Sequence, residues 1–97
     1  MIRTFADAET QAIFLFGSSK RLGNIVRIAA RKLQAIDFAS AVEDLYEPPG
    51  NRLEKLKGDR DGQWSICGMQ AKTGDRYRVC FRWDGKDAWD LEIVDCD

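Results

Sequence analysis

Two consecutive prolines followed by glycine, Pro48-Pro49-Gly50, cut this chain into halves of different periodicity. Proline locks its own φ and has no amide N–H to give, so no helix runs through such a pair. Upstream, Leu22, Ile25, Val26, Ala29, Leu33 and Ile36 recur at helical spacing and form one apolar stripe, with Lys20, Arg27 and Arg31 on other faces. A shorter helix is expected before it, from Asp7 as N-cap to about Phe16, closed by Gly17 and Ser18-Ser19. Ile2-Arg3-Thr4-Phe5 alternates as a short edge strand would, and a helical turn is expected around Ser40–Leu45. Downstream the period becomes two. Gln63–Cys67, Tyr77–Trp83 and Trp89–Val94 are rich in β-branched and aromatic residues and predict strands. Asp59–Gly62 reads as a turn before the first, Lys72–Asp75 as the tip between the first and second, and Trp83–Asp87 as the next tip. Helices followed by an antiparallel meander give an α+β fold, with the helices packed on one face of a small, mainly antiparallel sheet. At 97 residues the chain is expected to form a single domain over 1–97.

Composition removes several function classes. The chain has no histidine, which excludes a Ser-His-Asp triad, a Cys-His pair and a His-ligated metal centre. Cys67, Cys80 and Cys96 are widely spaced with no CxxC pair, so neither a disulfide framework nor a zinc site is indicated, and no metal or cofactor is expected. The longest apolar run, Ala12–Phe16, is far short of the ~20 residues a membrane span needs. No apolar stretch follows the basic residue of Met1-Ile2-Arg3-Thr4-Phe5, so a signal peptide is not indicated and a cytoplasmic location is the expectation.

The net charge of −1 hides segregation. Gly17–Ala35 carries Lys20, Arg21, Arg27, Arg31 and Lys32 with no acid, whereas Trp83–Asp97 carries Asp84, Asp87, Asp90, Glu92, Asp95 and Asp97 against Lys86 alone. That acidic segment suits a repulsive rim, a solvated edge strand or a docking surface for a basic partner. Alternation over the second strand puts Tyr77, Val79, Phe81 and Trp83 on one face and Arg78, Cys80 and Arg82 on the other. With the apolar set toward the helices, Arg78 and Arg82 project from the opposite face, and Arg52, Lys55, Lys57 and Arg60 are expected to line it with them. Such a cluster suits phosphates, because Arg offers a planar fork of donors and Lys a compact charge. A solvated charged surface is the competing explanation. Trp64 and Tyr77 are candidates either for stacking on unpaired bases or for core packing. Lys20 and Arg21 form a second basic candidate for contact with RNA or the ribosome.

The run Pro48-Pro49-Gly50-Asn51-Arg52-Leu53-Glu54-Lys55-Leu56-Lys57-Gly58-Asp59-Arg60-Asp61-Gly62-Gln63-Trp64-Ser65-Ile66 resembles the signature of the HigB toxins, or plasmid maintenance system killer proteins, of the RelE superfamily. Met1–Phe5, the strand Tyr77-Arg78-Val79-Cys80-Phe81-Arg82-Trp83 and the closing Glu92–Asp95 are similar to that family as well, in the same order along the chain. The resemblance implies a RelE-like fold and the toxin of a type II toxin–antitoxin pair. Such a toxin enters the ribosome and cuts mRNA, and a helix-turn-helix antitoxin of HigA type restrains it. Carried over by position, Lys57 is the candidate general base or transition-state stabiliser, Arg78 the ligand of the scissile phosphate, and Arg60 and Lys55 its support. Glu54 stands where some relatives have histidine, as a base or as a partner for a neighbouring cation. Arg52, Lys55, Lys20, Arg21 and Arg82 are the further RNA-binding candidates. The family usually ends in Asp-Tyr-His, but this chain ends Asp95-Cys96-Asp97, making Asp95 and Asp97 the C-terminal candidates in place of a ring and an imidazole. The hairpin Gly68–Arg76 is also longer than usual. These departures leave open a relative that binds RNA or its antitoxin without cleavage.

Overall fold

The computed structural model describes residues 1–71 and 74–95. The hairpin-tip residues Lys72 and Thr73, and the terminal Cys96 and Asp97, lie outside the described residues.

Helix α1 (Ala8–Phe16) begins where the Asp7 carboxylate accepts the Thr10 amide at 2.8 Å, and ends where Gly17, at φ 66°, returns its N–H to the Ile13 carbonyl at 3.0 Å. Both caps satisfy backbone groups that a helix end otherwise leaves open. A 3₁₀ turn over Gly23–Ile25 leads into α2 (Val26–Phe38). The expected stripe is its buried side: Leu22, Ile25, Ala29, Leu33 and Ile36 are buried, while Val26 is only partly covered. Two further 3₁₀ turns, Val42–Tyr46 and Pro49–Asn51, carry the chain past the prolines.

The sheet holds four antiparallel strands in sequence order: β1 (Glu54–Lys55), β2 (Gln63–Gln70), β3 (Arg76–Trp83) and β4 (Ala88–Asp95). Ile2 and Phe5 form isolated parallel bridges to Ala88 and Leu91 on the free edge of β4, the place of the expected edge strand. The Thr10 hydroxyl accepts the Ile93 amide at 3.2 Å and ties α1 to the same edge. Ile66, Met69, Val79, Phe81, Leu91 and Ile93 face the helices and join Ile13, Leu33 and Ile36 in one core. Each such side chain, buried, is worth about 1.5–3 kcal/mol of hydrophobic transfer.

Two departures from strict alternation shape the opposite face. Pairing between β2 and β3 shifts between Ile66 and Met69, so Cys67 and Gly68 together oppose Arg78. Gly68 sits at φ 98°, and a Cβ there would stand 3.1 Å from the Gly50 carbonyl oxygen, so this bulge suits glycine alone. Because the bulge absorbs the extra residue, β2 runs on to Gln70 rather than stopping at Cys67. A second shift, between Cys80 and Arg82 in the β3–β4 pairing, falls at Asp90, whose φ is 57°.

Under the β2 bulge lies a polar node. Asn51, fully buried, donates through Nδ2 to the carbonyls of Leu45 at 3.1 Å and Glu47 at 3.0 Å, and its Oδ1 accepts from Lys32 Nζ. One amide thus fastens the segment after the prolines to α2.

Candidate nucleic-acid interface

The face of the sheet turned away from the helices carries the charge. Starting β3 at Arg76 gives a row of Arg76, Arg78, Cys80 and Arg82 on that face, since β3 itself is regular and alternate residues share a side. Across Cys80 lie Ser65 and Glu54 in one direction and Glu92 in the other. Arg60, at the end of the 3₁₀ turn Gly58–Arg60, spans this row. Its Nη1 donates to Gln63 Oε1 at 3.2 Å and its Nη2 to Glu92 Oε1 at 3.1 Å, joining β2 to β4 over β3. Leu56 continues the β1 register through its N–H to the Gln63 carbonyl at 2.8 Å and is buried on the same side.

Arg78 is half-buried beside Val94 and the Cys67–Gly68 bulge. Its Nε is buried and finds no hydrogen-bond partner, as does Ser65 Oγ, among the described residues. An unmet buried donor costs about 1–3 kcal/mol, more when charged, and an anion laid on the guanidinium would recover it. Glu92 stands one place along the same face from the Arg78–Val94 pair, so Arg60 and Arg78 flank one patch. Arg82 is half-exposed and pairs with Asp90 at 3.5 Å. Arg52 is exposed, at φ 47°, immediately ahead of Leu53. Lys57 is exposed on extended backbone as the residue preceding the Gly58–Arg60 turn, and forms no ion pair among the described residues.

One further sequence expectation for this face, that for Lys55, is corrected. Lys55 pairs with Trp64, whose ring packs on the helix-side core, and its Nζ lies 5.8 Å from that ring's centre. A residue adjacent to Glu54 on a strand must point to the other side, so Lys55 does not line the Arg78 face. Asp95 opposes Tyr77 and by the same parity shares the helix side. Lys20 and Arg21 belong to the α1–α2 connection, where the Glu9 carboxylate accepts from the Ser19 hydroxyl and from the Arg21 amide at 3.0 Å. The Ser19 bond, then the Arg21 amide, holds the Glu9 carboxyl below its ordinary pKa. Trp64 and Tyr77 are half-buried against the core.

Reading alternation alone misses four residues of this face. Arg76 escapes because the strand is started one residue late, although its parity with Arg78 and Arg82 signals it. Glu92 and Gln63 escape because their meeting with Arg60 depends on cross-strand register. Trp89 opposes Arg82, is 37% exposed, and donates its indole N–H to Asp84 Oδ2 at 2.8 Å. The Asp87 amide, this indole and the Lys86 amide together hold the Asp84 carboxyl down to about 2. The acidic segment is therefore largely spent inside the fold: Asp84 closes the hairpin, Asp87 meets the N-terminal amine and Arg3, and Asp90 and Glu92 meet arginines. No Cys, Asp and Glu group of the described residues clusters as a metal ion would need, and no described helix is long and apolar enough to cross a membrane.

Residues 3–96 match the model of a family described as the RelE-like toxin of the type II toxin–antitoxin system HigB. Toxin HigB-1 of Vibrio cholerae serotype O1 is 43% identical over 53 residues, 55% of this chain and 50% of that toxin, so the similarity spans about half the length of that relative. An uncharacterized protein of Haemophilus influenzae is 26% identical over 91 residues, 92% of this chain and 85% of its own.

Proposed function

This chain belongs to the HigB-like family of RelE-like type II toxins, and from that premise we propose that it cuts mRNA on the ribosome and is restrained by a helix-turn-helix antitoxin of HigA type. The observation that carries the chemistry is the half-buried Arg78, whose Nε has no hydrogen-bond partner among the described residues, beside an Arg60 braced between two strands. In the reaction a ribose 2′-oxygen bonds to the adjacent phosphorus while the bond from phosphorus to the 5′-oxygen breaks. A 2′,3′-cyclic phosphate and a 5′-hydroxyl remain. The 2′-OH proton passes to a base, and a proton reaches the leaving 5′-oxygen. With no histidine to serve, the largest contribution open to this chain is cationic stabilisation of the phosphorane. Arg78 binds the scissile phosphate, Arg60 supports it, and Lys57 acts as base or as a further stabiliser. Glu54 shares the face and is the carboxylate alternative to Lys57 as base. Lys55, turned to Trp64, stands outside this set.

The test is primer-extension mapping of mRNA bound to purified ribosomes. Wild-type protein should produce cuts, and Arg78→Ala or Lys57→Ala should slow them by about 10²–10³-fold, the usual cost of one lost transition-state donor. Intact mRNA with folded wild-type protein that still binds its antitoxin would favour a relative that binds without cutting.

A further inference from the structure

We propose that the cleft between the Pro49–Arg52 turn and the β2 segment beyond β1 is a second anion subsite, in which Arg52 and Arg76 hold a backbone phosphate of the single-stranded RNA next to the scissile one. β1 pairs with β2 only at Trp64 and Ser65, and farther along β2 it is the Pro49–Asn51 turn that approaches the strand, at Gly68. The cleft there has a volume of about 340 Å³ and is lined by Gly50, Arg52, Gly68, Gln70, Arg76 and Tyr77 among others, with two guanidiniums and, among the described residues, no carboxylate. Neither Arg52 nor Arg76 forms an ion pair among the described residues, in contrast to Arg60 and Arg82.

Position identifies the ligand. Arg76 and Arg78 share a face two residues apart, about 6.6 Å along β3. That separation is comparable to the distance between successive phosphates of an extended strand, so one RNA chain lying along β3 can place neighbouring phosphates on both. Arg52 approaches from the other wall, where Asn51 anchors its backbone and its N–H bonds to the Pro49 carbonyl at 3.2 Å. Gly68 permits the close approach of the two walls. Tyr77, turned to the helix side of β3, is half-buried where it lines the cleft. Contacts of this kind position a strand without reading its bases.

This subsite rests on the proposed RNA substrate, and the experiment separates the two. Fluorescence anisotropy measures binding of the full chain to a fully 2′-O-methylated, uncleavable dinucleotide and hexanucleotide over a range of salt. The hexanucleotide should bind wild type more tightly. Arg52→Gln with Arg76→Gln should weaken it roughly tenfold and lower its salt slope by about 0.7 for each lost contact, leaving the dinucleotide, which has one phosphate only, unchanged. Arg52→Lys with Arg76→Lys should keep the slope, since the charges remain. Hexanucleotide binding unaffected by the Gln pair, or an equal loss for both lengths, overturns the subsite. Ribosomal cleavage by wild type is read separately. Its presence alongside a neutral Gln pair rejects the cleft alone, and its absence alongside a length-dependent loss rejects cleavage while the cleft stands.

Discussion

Asn51→Ala should be among the most costly polar substitutions in this protein. The wild-type side chain is fully buried, and its amide donates to the Leu45 and Glu47 carbonyls while accepting from Lys32. Alanine leaves two carbonyls without donors in a place that water does not readily reach, at about 1 kcal/mol each. It also strips a partner from the Lys32 ammonium and opens a small void, adding about 1 kcal/mol more. The total is about 2–4 kcal/mol. At about 4–8 °C per kcal/mol for a domain of this size, melting should fall by roughly 8–32 °C. Urea titration followed by tryptophan fluorescence gives the free energy directly, and an unchanged m-value would place the loss in the native state. A loss below about 1 kcal/mol would refute the reasoning, since the carbonyls would then have found other donors. Lys32→Met supplies the control. Burial holds the Lys32 pKa below 10.5. The unfolded chain therefore binds more protons between the folded value and 10.5, and wild-type stability from this group rises with pH across that window. Methionine should abolish that alkaline gain but cost about 1 kcal/mol at neutral pH, because Asn51 Oδ1 loses its donor, and the double variant should lose less than the sum of the singles.

Two other outcomes follow from neighbouring geometry. Glu92→Gln removes a charge from an ion pair about one-third exposed on both sides, so stability should fall by less than about 1 kcal/mol. Arg60 would nevertheless lose its brace, and single-turnover cleavage of ribosome-bound mRNA should drop roughly tenfold; an unchanged rate would show that Gln63 alone positions the guanidinium. Asp84 is held down to about 2, and Asp87 is lowered chiefly by its bond from Arg3, so each carboxylate stabilises the fold above the ordinary value of 3.8 and ceases to as pH falls through its folded value. Asp84→Asn and Asp87→Asn should each flatten the acid limb of the stability curve below about pH 4, as read by circular dichroism, and a limb identical to wild type would refute the assignment.

Local patterns account for much of this architecture because they rest on short-range physics. Asp7 and Gly17 bracket α1 through bonds to residues three and four positions away, and the α2 stripe is set by helical pitch alone. Where an outcome depends on pairing between distant segments, periodicity has no purchase. The two residues of β1 carry no pattern of their own and exist because Glu54 and Lys55 meet Ser65 and Trp64. That meeting turns Lys55 toward the helices, although a run of cations from Arg52 to Arg60 suggests a common face. The bulge at Cys67–Gly68 extends β2 by three residues and sets Arg78 against a two-residue step, neither of which alternation can express.

The same non-local register decides which arginines are available to a ligand. Composition shows basic and acidic segments separated along the chain, yet β4 lies beside β3, so the acidic segment is delivered to the arginine row. It neutralises that row unevenly. Asp90 and Glu92 engage Arg82 and Arg60 at the hairpin-distal end, where β3 runs into the Trp83–Asp87 turn. At the Arg76 end, β4 offers Val94 opposite Arg78, and the lining of the neighbouring cleft adds Arg52 and, among the described residues, no carboxylate. Among the described residues the arginines of this face engaged in ion pairs are therefore Arg82 and Arg60, whereas Arg78, Arg76 and Arg52 form none. A polyanion meeting this face gains most by laying its phosphates toward that end, so the proposed RNA would take its orientation from which strand the acids occupy.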